Sequence, residues 1–159
     1  MGRWCCRAPV AVALGAIVAL WSGVILADPG PDDTAAARLD PDYAAGRHAI
    51  AMEDWPTAIA RLTIAAGRAD SADIENYLGY AYRHVGQLDL AFSHYARALQ
   101  IDPSHRGAHE YVGEAYLMIG DLAKAEQHLA ELRRICAASC EEYEDLRKAI
   151  ADHRARARE

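Results

Sequence analysis

The chain has 159 residues, with 17 basic against 23 acidic side chains and a net charge of −6. Beyond residue 27 it contains 28 Ala but only two Val, eight Ile and three Thr. Alanine favours helices while sheet cores need β-branched and aromatic side chains, so this composition excludes all-β and parallel α/β folds and points to an all-α domain. The acidic balance, a net of −8 without Arg3 and Arg7, excludes a general nucleic-acid or anionic-membrane binder, because phosphate contacts require a basic face.

In chain order, residues 1–7 (MGRWCCR) carry two arginines and no acid, and twenty uncharged, mostly apolar residues follow from Ala8 to Ala27. A polar turn, Asp28-Pro29-Gly30-Pro31-Asp32-Asp33, ends the run. This is the form of a secretory signal, with a cleavage site after Ala27. Twenty apolar residues also suffice to cross a bilayer, so a retained N-terminal anchor is the second reading. Both place the body outside the cytoplasm, in the periplasm or anchored to the inner membrane and facing the periplasm; contact with membrane is expected only through this segment if it is uncleaved. Cys5 and Cys6 lie in the leader, and acylation is open to them if they survive. Residues 28–38 read as a linker.

The apolar periodicity predicts helices over 40–52, 55–68, 72–85, 88–101, 105–118 and 121–136, and a seventh over about 140–155. Asp54 caps the second helix ahead of Trp55-Pro56, Asp102-Pro103 stops the fourth, and Gly86 and Gly120 end the third and fifth in the left-handed conformation. Gly79 and Gly113 fall in mid-helix, where glycine costs about 1 kcal/mol against alanine, and close approach of a neighbouring helix with Ala91 and Ala125 facing it would justify that cost. In the last helix Tyr143, Leu146, Ile150 and Ala149 form one apolar stripe.

Aligning 72–105 with 106–139 at an offset of 34 gives ten identities, among them Tyr77/Tyr111, Gly79/Gly113, Tyr82/Tyr116, Gly86/Gly120 and His94/His128. A fixed period of this length signals stacked helix pairs. The middle copy reads Glu75-x2-Leu78-Gly79-x2-Tyr82, then Ala91-x3-Tyr95 and Pro103. The next reads His109-x2-Val112-Gly113-x2-Tyr116 and Ala125-x3-Leu129, with Ala137 in place of the proline; a degenerate first copy runs through Asp42-x2-Ala45-Gly46-x2-Ala49 and Ala58-x3-Leu62. These residues resemble the tetratricopeptide repeat family over about residues 40–139. The expected architecture is three stacked antiparallel helix pairs, the first degenerate, over 39–139, closed by a capping helix over 140–159 with one polar face.

Cys136 and Cys140 are the only cysteines beyond the leader. In an oxidising compartment such a pair is most often a disulfide, but i and i+4 positions of one helix sit too far apart for one. Ser139-x-x-Glu142 has the form of a capping box, which would start a new helix and let the thiols meet across a bend. Two other readings are open: Cys-x3-Cys is also the copper motif of Sco-type chaperones, with His105, His109 and His128 available, and a helix N-terminus favours a redox-active thiol, which Glu141 and Glu142 oppose. The ending from Cys136 to Tyr143 further resembles that of small exported bacterial tetratricopeptide proteins, which supports a structural bond.

His105 and His109 have a ligand spacing, but no third and fourth ligand follow, and His109 fills a bulky packing position of the repeat. There is no Gly-x-Ser-x-Gly, P-loop, His-Glu-x-x-His or glycine-rich dinucleotide turn. The expectation is a non-enzymatic adaptor without cofactor or metal, binding a protein or peptide in its concave groove; the alternative is a metal- or thiol-handling accessory factor using Cys136 and Cys140. The family resemblance implies which positions face the groove: Tyr43 and Arg47, then Asn76, Tyr80, Arg83 and His84, then Glu110, Glu114, Leu117 and Met118. Tyr80 and Arg83 are expected to bind a partner without contributing to folding.

Overall fold

A computed structural model describes residues 40–137 and 139–157; the readings of 1–27 as leader and 28–38 as linker lie outside them. Among the described residues there are seven α-helices and no strand: α1 (Pro41–Ala51), α2 (Trp55–Ala66), α3 (Ala72–His84), α4 (Leu88–Ile101), α5 (Arg106–Met118), α6 (Leu122–Ile135) and α7 (Glu141–Arg156). The helix starts follow local chemistry. Asp40 caps α1 by accepting from the Asp42 and Tyr43 amides at 2.8 and 3.1 Å, ahead of Pro41. Asp54 accepts from the Thr57 amide at 3.3 Å, and Asp121 from the Lys124 amide at 3.1 Å. Each cap satisfies an amide that the first turn leaves without a partner.

Helices adjacent in sequence pack as antiparallel pairs, and α1, α3, α5 and α7 also contact one another in succession, forming an inner layer against the outer α2, α4 and α6. Two glycine pairs set this geometry. Gly86 and Gly120 have φ of +75° and +79° with open space around them, so conformation alone demands glycine there. Gly79 and Gly113 instead serve close approach of large side chains. A Cβ on Gly79 would lie 2.6 Å from the Tyr95 ring, and one on Gly113 would lie 2.6 Å from Leu146 of α7. Ala91 and Ala125, expected to face them, are buried in the same clusters as Tyr95 and Leu146 respectively.

Beyond α6, Ala137 adopts a left-handed φ of 58°, and the chain turns sharply enough for Cys136 and Cys140 to be joined, their Cα atoms 5.7 Å apart. The capping box does not form. Cys140, not Ser139, is the N-cap of α7 and makes no side-chain cap bond, while the Ser139 hydroxyl donates to Glu144 Oε1 at 3.1 Å. The disulfide holds the bend that the box would have stabilised. The stripe of α7 is as expected: Leu146 and Ile150 are buried, with Tyr143 packed beside them. Among the described residues no helix is long and apolar enough to cross a membrane.

Candidate binding groove on the inner helices

Tyr77 and Tyr111 recur at the 34-residue period on the inner helices, and Tyr43 lies on α1 at the repeat position of Asn76 and Glu110. Tyr43 is only 2% exposed and belongs to the first core cluster with Leu62, Ile74 and Leu78, so it supports the groove wall and does not line the groove. The same position in the second repeat holds Asn76, which is likewise buried, so this position packs between helices. Arg47 is exposed, with its guanidinium 5.7 and 5.5 Å from the Tyr43 and Tyr77 ring centres. Both are within cation–π range.

The middle of the groove is an interlocked set. Arg83 Nη1 lies 2.7 Å from Glu114 Oε2, and its guanidinium sits 5.2 Å from the Tyr80 ring centre and 5.7 Å from that of Tyr111. Tyr80 packs against Tyr111 with centroids 4.7 Å apart and against His84 at 4.4 Å; His84 stacks on Trp55 at 4.3 Å and 15°. Arg83 thus already holds a carboxylate, supplied by the chain's own Glu114. Tyr80 and Arg83 also tie α3 to α5, so their combined loss removes packing together with any partner contact, contrary to the sequence expectation. Trp55, contributed by α2, is a member of the set that the family positions do not include.

Asn76 and Glu110 lie nearer the helix N-termini. Asn76 is 4% exposed. Burial pushes the Glu110 acid up to about 8, reinforced by the charges of Glu114, Asp145 and Glu142. At the opposite end, Leu117 and Met118 share a surface recess with Arg83, Glu114, Ala149, Asp152, His153 and Arg156. Met118 is 56% exposed, an uncovered apolar side chain beside the ion pair.

The histidines have protein partners. His105 Nδ1 accepts from the Ala108 amide at 3.0 Å, which puts the ring's proton on Nε2, 3.0 Å from Asp73 Oδ1. His109 Nε2 donates to the Pro103 carbonyl at 3.1 Å, so its Nδ1 accepts from His128 Nδ1 at 2.9 Å. Burial, then the neighbouring His109, lowers the pKa of His128 to about 4. Together with Cys136 and Cys140, Glu142 is the one group of three metal-ligand types drawn within 4.8 Å among the described residues. The two sulfurs there are bonded to each other, so the set offers no thiolate in this state.

Residues 82–150 match the model of a tetratricopeptide repeat family. The match spans the end of the second repeat, the third repeat and most of α7, and it agrees with the all-α repeat architecture. Such repeats serve in general as protein-interaction scaffolds and are typically not enzymes. No curated protein matches the chain significantly.

Proposed function

We propose that the chain is an exported adaptor that holds a protein or peptide partner along the inner face of its helix stack. The observation that carries this reading is the Arg83 guanidinium, set against the Tyr80 and Tyr111 rings beside the exposed Met118. Arginine and tyrosine are the side chains most often found as binding anchors, and an uncovered apolar group next to them is what a partner would desolvate. Export is supported by the arginines before a long apolar run and by the bonded cysteine pair, since such bonds persist in oxidising compartments. No enzymatic, metal or nucleic-acid role is assigned. A photocrosslinking residue in place of Met118 should trap a discrete partner in the cell envelope, whereas one in place of the exposed Gln100 on α4 should not. Equal trapping at both positions, or none at Met118, would reject the groove assignment. An alkaline phosphatase fusion after residue 60 should be active; inactivity there would reject export.

A further inference from the structure

At the N-terminal ends of α3, α5 and α7 the inner face opens into a recess of about 320 Å³. Five of its lining residues are carboxylates: Asp73, Glu110, Glu141, Glu142 and Asp145. The one basic side chain lining it, His105, adds no positive charge, since its single proton is donated to Asp73. Arg106, which does not line the recess, pairs with Glu142 Oε1 at 3.6 Å.

Two of its lining residues carry buried acceptors without partners. Asn76, 4% exposed, lines the recess, and its Oδ1 has no hydrogen-bond partner. The second oxygen of Glu142, Oε2, is buried and also lacks one. A buried acceptor left unmade is costly, so each such atom marks a place where a donor is missing. Three of the carboxylates, Glu110, Glu142 and Asp145, sit close enough that their mutual repulsion helps keep the Glu110 acid protonated.

The arrangement also sets the shape of the missing donor. No three pocket carboxylates bring ligand atoms within 4.8 Å of one another, as a divalent cation or a compact ammonium would need. A guanidinium presents five N–H donors spread over a rigid plane and stacks on aromatic faces. Tyr77 and Tyr111 line the recess. The same two rings already face the guanidinium groups of Arg47 and Arg83.

We infer that this recess receives an arginine side chain of the partner, with Asn76 Oδ1, the Glu142 and Asp145 carboxylates and the carbonyl oxygen of the Glu110 acid accepting from its guanidinium. The inference rests on the groove reading above and names the chemistry of what the groove selects: a basic, arginine-bearing segment. The volume suits one side chain, being at the lower end of ligand pockets.

The test is an NMR titration of the ¹⁵N-labelled full chain with N-acetyl-arginine amide. Saturable shifts are expected at the Asn76 side-chain amide and the Gly107 and Glu110 backbone amides. N-acetyl-citrulline amide, equal in shape but neutral, should produce none, and N-acetyl-lysine amide should bind roughly tenfold more weakly. Asp145→Asn should weaken arginine binding by roughly tenfold while the far-UV dichroism is unchanged. Equal binding of citrulline or lysine, saturation of the same signals by calcium chloride, or unaltered affinity in that variant would overturn the proposal. Absent arginine shifts with retained crosslinking at Met118 reject the arginine site and leave the groove standing. Saturable arginine shifts with no crosslink do the reverse.

Discussion

The second and third repeats share ten residues at a spacing of 34, yet they fill their corresponding slots differently. Gly79 is met by Tyr95 of its own outer helix, whereas Gly113 is met by Leu146 of the capping helix. His94 lies 2.7 Å from Glu75, whereas His128 lies 2.9 Å from another histidine, His109. Asn76 and Tyr80 of the second repeat become Glu110 and Glu114 in the third. The shared residues fix where helices end and approach, and the differing ones decide charge and partner. Swapping the differing residues between repeats therefore tests chemistry on a constant frame.

The largest expected effect lies in the core. Leu146 is fully buried, and Leu146→Ala should cost roughly 3 kcal/mol, within the range for buried leucines. Leu129 corresponds to Tyr95 by the 34-residue offset but is only half-buried. Leu129→Ala should cost clearly less in the same denaturant series, and equal losses would mean that the two repeats close alike after all.

The next effect is a pH dependence carried by the third repeat. The Glu110 acid is held up to about 8 against an ordinary 4.5, so the folded state binds its proton more tightly than the unfolded chain. Its contribution is fully present below about 4.5 and is lost as pH rises through about 8. The wild type should lose on the order of 2 kcal/mol across that interval once solvent screening is allowed for. Glu110→Gln should flatten the curve in thermal melts, and a wild-type slope retained in that variant would assign the effect elsewhere.

The smallest has the opposite sign. Burial lowers the pKa of His109 and takes that of His128 down to about 4, so the unfolded chain binds those protons more tightly. Their contribution is present above about 6.5 and is lost as pH falls towards about 4. His109→Glu would give the third repeat the histidine–carboxylate pair of the second. That change should remove on the order of 1 kcal/mol of acid-side loss, measurable as a shallower decline of melting temperature below pH 6.5.

The contrast between repeats also explains what the sequence reveals. Helix ends are written locally: Gly86, Gly120, Asp54 and Pro103 act within one turn, and the helices begin and end within about two residues of the reading. The repeat period carries this across the chain. The groove is less legible, since a family position tells which way a side chain points and not what covers it. Tyr43 is buried against Leu62, Ile74 and Leu78, and Arg83 finds Glu114 from the next inner helix. The acidic recess joins Asn76, Glu110 and Asp145 from three helices; continuing the tyrosine row from Tyr111 by 34 reaches Asp145, a signal present in the sequence. The failed capping box has another cause, since Cys140 is already committed to Cys136 when α7 begins.

The notch at Gly113 bears on how the protein is made. Its filling side chain lies 33 residues further along, and Ile150 belongs to the same buried cluster as Leu146. During synthesis the first two helix pairs can settle as soon as they emerge, because Gly46 and Gly79 are filled from within their own pairs by Leu62 and Tyr95. The third cannot complete its interior until α7 has left the ribosome. A chain halted before α7 begins would carry an intact front and an open back, with apolar surface uncovered where α7 belongs.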